Sequence, residues 1–187
     1  MSAFFGDIHY WLYNKIQYLQ KINDVLIHTY QLNNEEYNPL VDYTLPLEQI
    51  IDLNQIHSSL NDLVQDVEHR NALIINKILT QTSIEDVKQT YYQLGKQKAS
   101  LLNNPIEAYE YIHSYLLDGM PCDQGIDIMI QDNDQVIYEY NPSVHSSLIP
   151  FSTLQALRSS WIEGLLTQSH ISLTQLSNTQ FILKLED

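Results

Sequence analysis

The hydrophobic period of this chain changes at Gly119, and that change constrains the fold more than any other feature. Before it, apolar residues return every three or four positions, the spacing of one face of an α-helix; after it they alternate, the spacing of a strand. From Asp7 to about Leu32, Ile8, Trp11, Leu12, Leu19, Ile22 and Leu26 share one face and predict a first helix. Residues 33–46, NNEEYNPLVDYTLP, carry two prolines and no period and read as a long connection. Leu47 to Thr82 contains neither Gly nor Pro and aligns Ile56, Leu60, Leu63, Val67, Ile74 and Ile78, predicting a long second helix. Ser83-Ile-Glu-Asp86 supplies a hydroxyl cap and acidic residues for a helix start and opens a third helix to about Leu102. Asn104-Pro105-Ile-Glu107 repeats the signal for a fourth helix, to about Asp118.

Beyond Gly119, Ile126, Ile128 and Ile130 alternate with Asp127, Met129 and Gln131, then a turn at Asp132-Asn-Asp134 leads to Val136, Tyr138 and Tyr140 in alternation. The three isoleucines predict a dry sheet face, with Ile137 stranded on the wet one. A helix opened by Pro150 and Ser152, with Leu154, Leu157, Trp161 and Leu165, separates this hairpin from a second, ISLTQL and FILKL. The fold class that follows is α+β, predominantly α: an N-terminal four-helix bundle-like body over residues 1–118 and a small C-terminal antiparallel β-β-α-β-β lobe over 119–187, packed as one compact unit.

Charge narrows the partners. Nine Lys and Arg face 23 Asp and Glu, a net charge of −14, and no basic cluster exceeds Lys96-Gln-Lys98. Nucleic acids and anionic membranes both draw affinity from basic clusters, so neither is an expected partner. The N-terminus MSAFFGDIHYWLYNKI has no basic flank before an apolar core and does not read as a signal peptide. No apolar run reaches membrane-spanning length, and a lone cysteine leaves no internal disulfide, which fits a cytoplasmic protein. No phosphate-binding Gly-rich loop, zinc Cys pattern or Gly-x-Ser-x-Gly elbow occurs.

Four helices and seven histidines invite a test for a metal-binding bundle, in which Glu and Glu-x-x-His groups converge from facing helices. Glu110-Tyr-Ile-His113, Asp66-Val-Glu-His69 and the pair Asp24 and His28 have suitable spacing. At about 100° per residue, however, His69 and His28 fall on the solvent side of their helices. His9, His57, His113 and Glu110 are the better-placed set, and no cofactor is expected beyond a metal ion held by them. The bland reading is that edge histidines are partly buried and hydrogen-bonded. His9 and His57 also sit in a faint repeat, Ile-His-x-x-Leu, at positions 8–12 and 56–60.

Cys122, in LLDGMPCDQG, is a remote catalytic candidate. Asp118, Asp123 and the preceding helix C-terminus all disfavour a thiolate there, and Gly119 with Pro121 explains the turn as a helix stop. Thirteen tyrosines, clustered at 10–18, 91–92 and 109–115, either line the rim of a core or form an interface. The expectation is therefore a non-catalytic binding or regulatory protein using an acidic, tyrosine-rich surface, with a protein partner or self-association as a homodimer. The alternative is a metal- or small-ligand-binding protein, or an enzyme, with His9, His57, His113 and Glu110 at the site. A cavity between sheet and bundle is the natural place for a ligand.

Overall fold

Helix α1 (Asp7–Thr29) starts where the Gly6 amide donates to His9 Nδ1 at 2.9 Å. It closes where Gln31 turns left-handed, at φ 53°, and the Leu32 amide reaches back to the Ile27 carbonyl at 3.0 Å. These details come from a computed structural model that describes residues 5–186; the first four residues, where the stretch read as no signal peptide begins, and Asp187 lie outside the described residues.

Helix α2 (Ile56–Leu79) begins well after the expected Leu47. Leu47–Gln49 form a single 3-10 turn, anchored by the buried Leu47, and Asp52 then diverts the chain. Its carboxylate accepts from the Asn54 amide at 2.8 Å and from the Asn54 side chain at 3.1 Å, a local bond that competes with helix formation. Helix α3 (Ile84–Lys96) has the expected reciprocal cap: Ser83 Oγ accepts from the Asp86 amide and Asp86 Oδ2 from the Ser83 amide, at 3.2 and 3.3 Å. It stops short of Leu102. Helix α4 (Pro105–His113) is capped by Asn104 as expected but ends before Asp118. Residues 116–120 are all buried, and no helical face, turning about 100° per residue, can bury five in a row. Gly119, at φ +72°, is thus a left-handed link some residues past the helix end.

Strands β1 (Ile126–Gln131), β2 (Gln135–Tyr140), β3 (Ile171–Gln175) and β4 (Gln180–Leu185) form one antiparallel sheet in the order β1-β2-β4-β3. Helix α5 (Phe151–Leu165) joins the two hairpins, so the protein is a predominantly helical α+β fold. A bulge in β1 pairs Ile128 with Tyr138 but Ile130 with Ile137, which sends Ile130 to the outer face. Ile128 and Ile130 remain 45% and 43% exposed, so the dry face expected of β1 belongs instead to the central strands, through Val136, Tyr138, Tyr140, Phe181 and Leu183.

Two helix pairs complete the core. Helices α1 and α2 lie side by side with their starts together, because His9 meets His57 and Asn23 accepts from Asn71 at 2.7 Å. The residues of both pairs are 48 apart, so the faint repeat is the packing register of two parallel helices. Helices α3 and α5 pack backbone on backbone: a Cβ on Gly95 would lie 1.8 Å from the Trp161 carbonyl oxygen, and one on Gly164 2.1 Å from that of Tyr92. Helix α4 covers the sheet, with Tyr109 and His113 against Tyr138.

Candidate functional site

Three of the nine basic side chains lie within the apolar stripes of their helices. Lys15 continues Leu12 toward Leu19, Arg70 lies between Val67 and Ile74, and Arg158 between Leu154 and Trp161. All three are about 95% buried, where a charge is expensive unless paired. Arg70 is satisfied: it bonds Asp66 at 3.1 Å, the Tyr37 carbonyl and Gln20. It is a structural strut, and the Asp66 oxygen it bonds, Oδ2, also accepts from Tyr43.

Arg158 and Lys15 belong to a different cluster. Arg158 donates to Asp118 Oδ1 and, at 3.2 Å, to His145 Nε2. An arginine only donates, so His145 Nε2 is the acceptor and Nδ1–H donates to Glu68 Oε1 at 3.1 Å. The chain Glu68–His145–Arg158–Asp118 ties α2, the 141–149 loop, α5 and the buried 116–120 segment together. Gly125 lets that segment close up, since a Cβ there would meet the Asp118 carbonyl oxygen at 2.2 Å. Burial opposes the charge on Asp118, but Arg158, with His113 and Lys15, holds its carboxyl well below the usual range.

Around this chain, polar groups are buried without partners. Among the described residues, His113 Nδ1 and Nε2, Asp118 Oδ2, the Tyr138 and Tyr140 hydroxyls, Arg158 Nε and Gln155 Nε2 find no hydrogen-bond partner. His113 Nδ1 stops 3.6 Å from Asp118 Oδ2, too far for a hydrogen bond, and the imidazole packs against the rings of Tyr109, Tyr138 and Tyr140. Burial lowers the pKa of His113 and so favours the neutral ring. Buried polar groups are nearly always bonded, so several orphans in one place call for a partner from outside the chain.

In front of His113 and Asp118 a cleft of about 410 Å³ opens between α1, α4 and the 118–126 segment. Trp11, Tyr109, Met120 and Ile126 give it apolar walls, and Lys15 enters from α1. The Lys15 ammonium rests 3.9 Å above the Trp11 ring, and among the described residues no carboxylate lies within ion-pair distance. Desolvation pulls its pKa down from 10.5 to about 8, against the pull of Asp118. Arg158 and His145 also edge a smaller, mostly apolar cavity of about 50 Å³ facing Ile22 and Ile149.

Comparison with protein-family models, with curated proteins and with solved structures finds no match.

The expected site residues divide between two places. His9 and His57 do meet, edge to face at 5.6 Å, but His9 Nδ1 is committed to the Gly6 amide and His57 is exposed. His113 and Glu110 line the cleft, His113 at its floor and Glu110 exposed. Among the described residues, no three His, Cys, Asp or Glu side chains gather as a metal-ligand group. His28 and His69 face outward, as their periodicity predicts. Cys122 is exposed, its Sγ 3.8 Å from Asp123 Oδ1, and does not line the cleft. Of the thirteen tyrosines only Tyr10 is exposed; the others are buried or partly buried, so their number reflects the interior more than the surface. Lys15 and Arg158 carried a readable signal, a charge inside an apolar stripe. His145 lies on an irregular loop, and no sequence signal marks it.

Proposed function

We propose that this chain is a small-molecule-binding protein whose ligand occupies the cleft in front of His113. The observation that carries the reading is the cleft itself, lined by Lys15, His113 and Asp118, with His113 Nδ1 and Nε2 and Asp118 Oδ2 buried behind its wall and without a hydrogen-bond partner among the described residues. Such atoms favour a ligand that bonds them, and the apolar walls favour a flat hydrocarbon or aromatic body. Asp118 is already neutralised by Arg158, whereas among the described residues no anion pairs with Lys15, so the ligand head that fits is a carboxyl or carbonyl oxygen able to accept from Lys15 and His113. No helix among the described residues is long and apolar enough to cross a membrane. The free thiol of Cys122 fits a reducing, cytoplasmic setting.

Thermal-shift measurements with a panel of aromatic and aliphatic acids and amides test the reading, because a ligand that binds only the folded state raises Tm. We expect binders whose effect disappears in Trp11→Ala and His113→Phe. If no member of the panel raises Tm, or if binders stabilise both variants as much as the native chain, the cleft is not the site.

A second reading, self-association, rests on the edge strand β1, where Ile128, Met129 and Ile130 are 45%, 57% and 43% exposed. Light scattering at rising protein concentration tests it: a dimer that Ile130→Lys dissociates supports it, and a monomer throughout overturns it.

A further inference from the structure

We infer that Lys15 is a nucleophilic amine that captures an aldehyde or ketone in the cleft as an imine. The inference rests on the small-molecule reading of the cleft and adds the chemical class of its ligand.

An amine attacks a carbonyl only when it carries a free lone pair, and a surface lysine near neutral pH rarely does. Lys15 meets the conditions that change this. It is 4% exposed, it lines the cleft, and its ammonium rests on an aromatic ring with no carboxylate of the described residues in ion-pair contact. The groups facing it are Trp11 on its own helix, Tyr109, Glu110 and His113 on α4, Asp118 after α4, and Arg158 on α5. Arg158 opposes a second positive charge nearby, and the Asp118 charge that would stabilise the ammonium is already engaged by Arg158. Burial therefore prevails and draws the amine down to about 8.

The reaction balances without an oxidant or reductant. The Lys15 Nζ lone pair forms a C–N bond to the carbonyl carbon, and the C=O π pair moves onto oxygen, which takes up a proton. The nitrogen gives up its two protons in turn, the oxygen leaves as water, and a C=N bond remains. Tyr109, kept protonated by a pKa raised to about 12, is the cleft group that can give a proton to the departing oxygen, and the neutral His113 ring can take one from the nitrogen. Trp11, Met120 and Ile126 favour a carbonyl attached to a flat apolar body over a small hydrated one.

Reductive trapping on the full chain tests this. Benzaldehyde and sodium cyanoborohydride convert each imine into a stable benzylamine, and peptide mass mapping locates it among the seven lysines. The free-base fraction rises about tenfold for each unit by which an amine pKa falls, so Lys15 should label roughly tenfold or more faster than the other lysines at pH 7.5. Its rate should reach half its maximum near pH 8. Lys15→Arg keeps the cation and removes the nucleophile; it should fold, by circular dichroism, and lose the fast label. Labelling spread evenly over the lysines, or unchanged in Lys15→Arg, overturns the inference. If acids from the thermal-shift panel then still bind in a His113-dependent way, the imine falls and the cleft reading stands; if they do not, both fall.

Discussion

Lys15 destabilises the fold in which it sits. Its folded-state pKa lies below its unfolded value, so the unfolded chain holds the proton more tightly. The penalty is full below pH 8 and disappears as pH rises from about 8 toward 10.5. Lys15→Met should therefore raise stability at pH 7 by about 1–3 kcal/mol, measured by urea unfolding, and the gain should shrink toward pH 10. A variant that gains stability while losing ligand binding is the pattern of a residue kept for function. Its neighbours act at lower pH. The folded pKa of His113 is also depressed, so its contribution is lost as pH falls from about 6.5 through the folded value, and His113→Phe should flatten the stability profile there. Asp118 contributes fully above its unfolded value, and its share is lost in stronger acid. Arg158→Met strands that buried carboxylate and should cost about 3–5 kcal/mol, where Lys15→Met stabilises.

Between elements, the packing of α3 on α5 depends on two missing side chains. Gly95→Ala and Gly164→Ala each drive a Cβ into a backbone carbonyl oxygen that cannot rotate away, so the helices must separate. Overpacking of this kind should cost about 3 kcal/mol or more, read from the urea midpoint. Helix ends are cheaper to perturb: Ser83→Ala removes one capping acceptor and should cost about 1 kcal/mol. These caps were legible because capping is local, three residues deciding the matter. The end of α2 nearest Leu47 was not, because Leu47 is buried in a 3-10 turn as thoroughly as it would be on a helix, and periodicity records burial without the backbone that achieves it.

Across the whole molecule, one apolar cluster runs from α1 and α2 through α3 and α4 to α5 and the sheet. Trp161, fully buried on α5, donates to the Tyr18 hydroxyl of α1 at 2.9 Å. Unfolding in urea should accordingly be a single transition, with Trp161 fluorescence, followed in a Trp11→Phe background, coinciding with far-ultraviolet circular dichroism. The sequence alone determined the helices, the hairpins, their order and the switch of period at Gly119, since each depends on residues within a turn or two of one another. Lys15 and Arg158, charges inside apolar stripes, were legible there too but were not singled out by the period alone. Only the tertiary structure decided what those charges meet. His113 and Asp118, at and just past the end of α4, and His145, on the loop before α5, join them from stretches far along the chain from Lys15. The spacing of residues within one element says nothing about which groups from other elements will close around them.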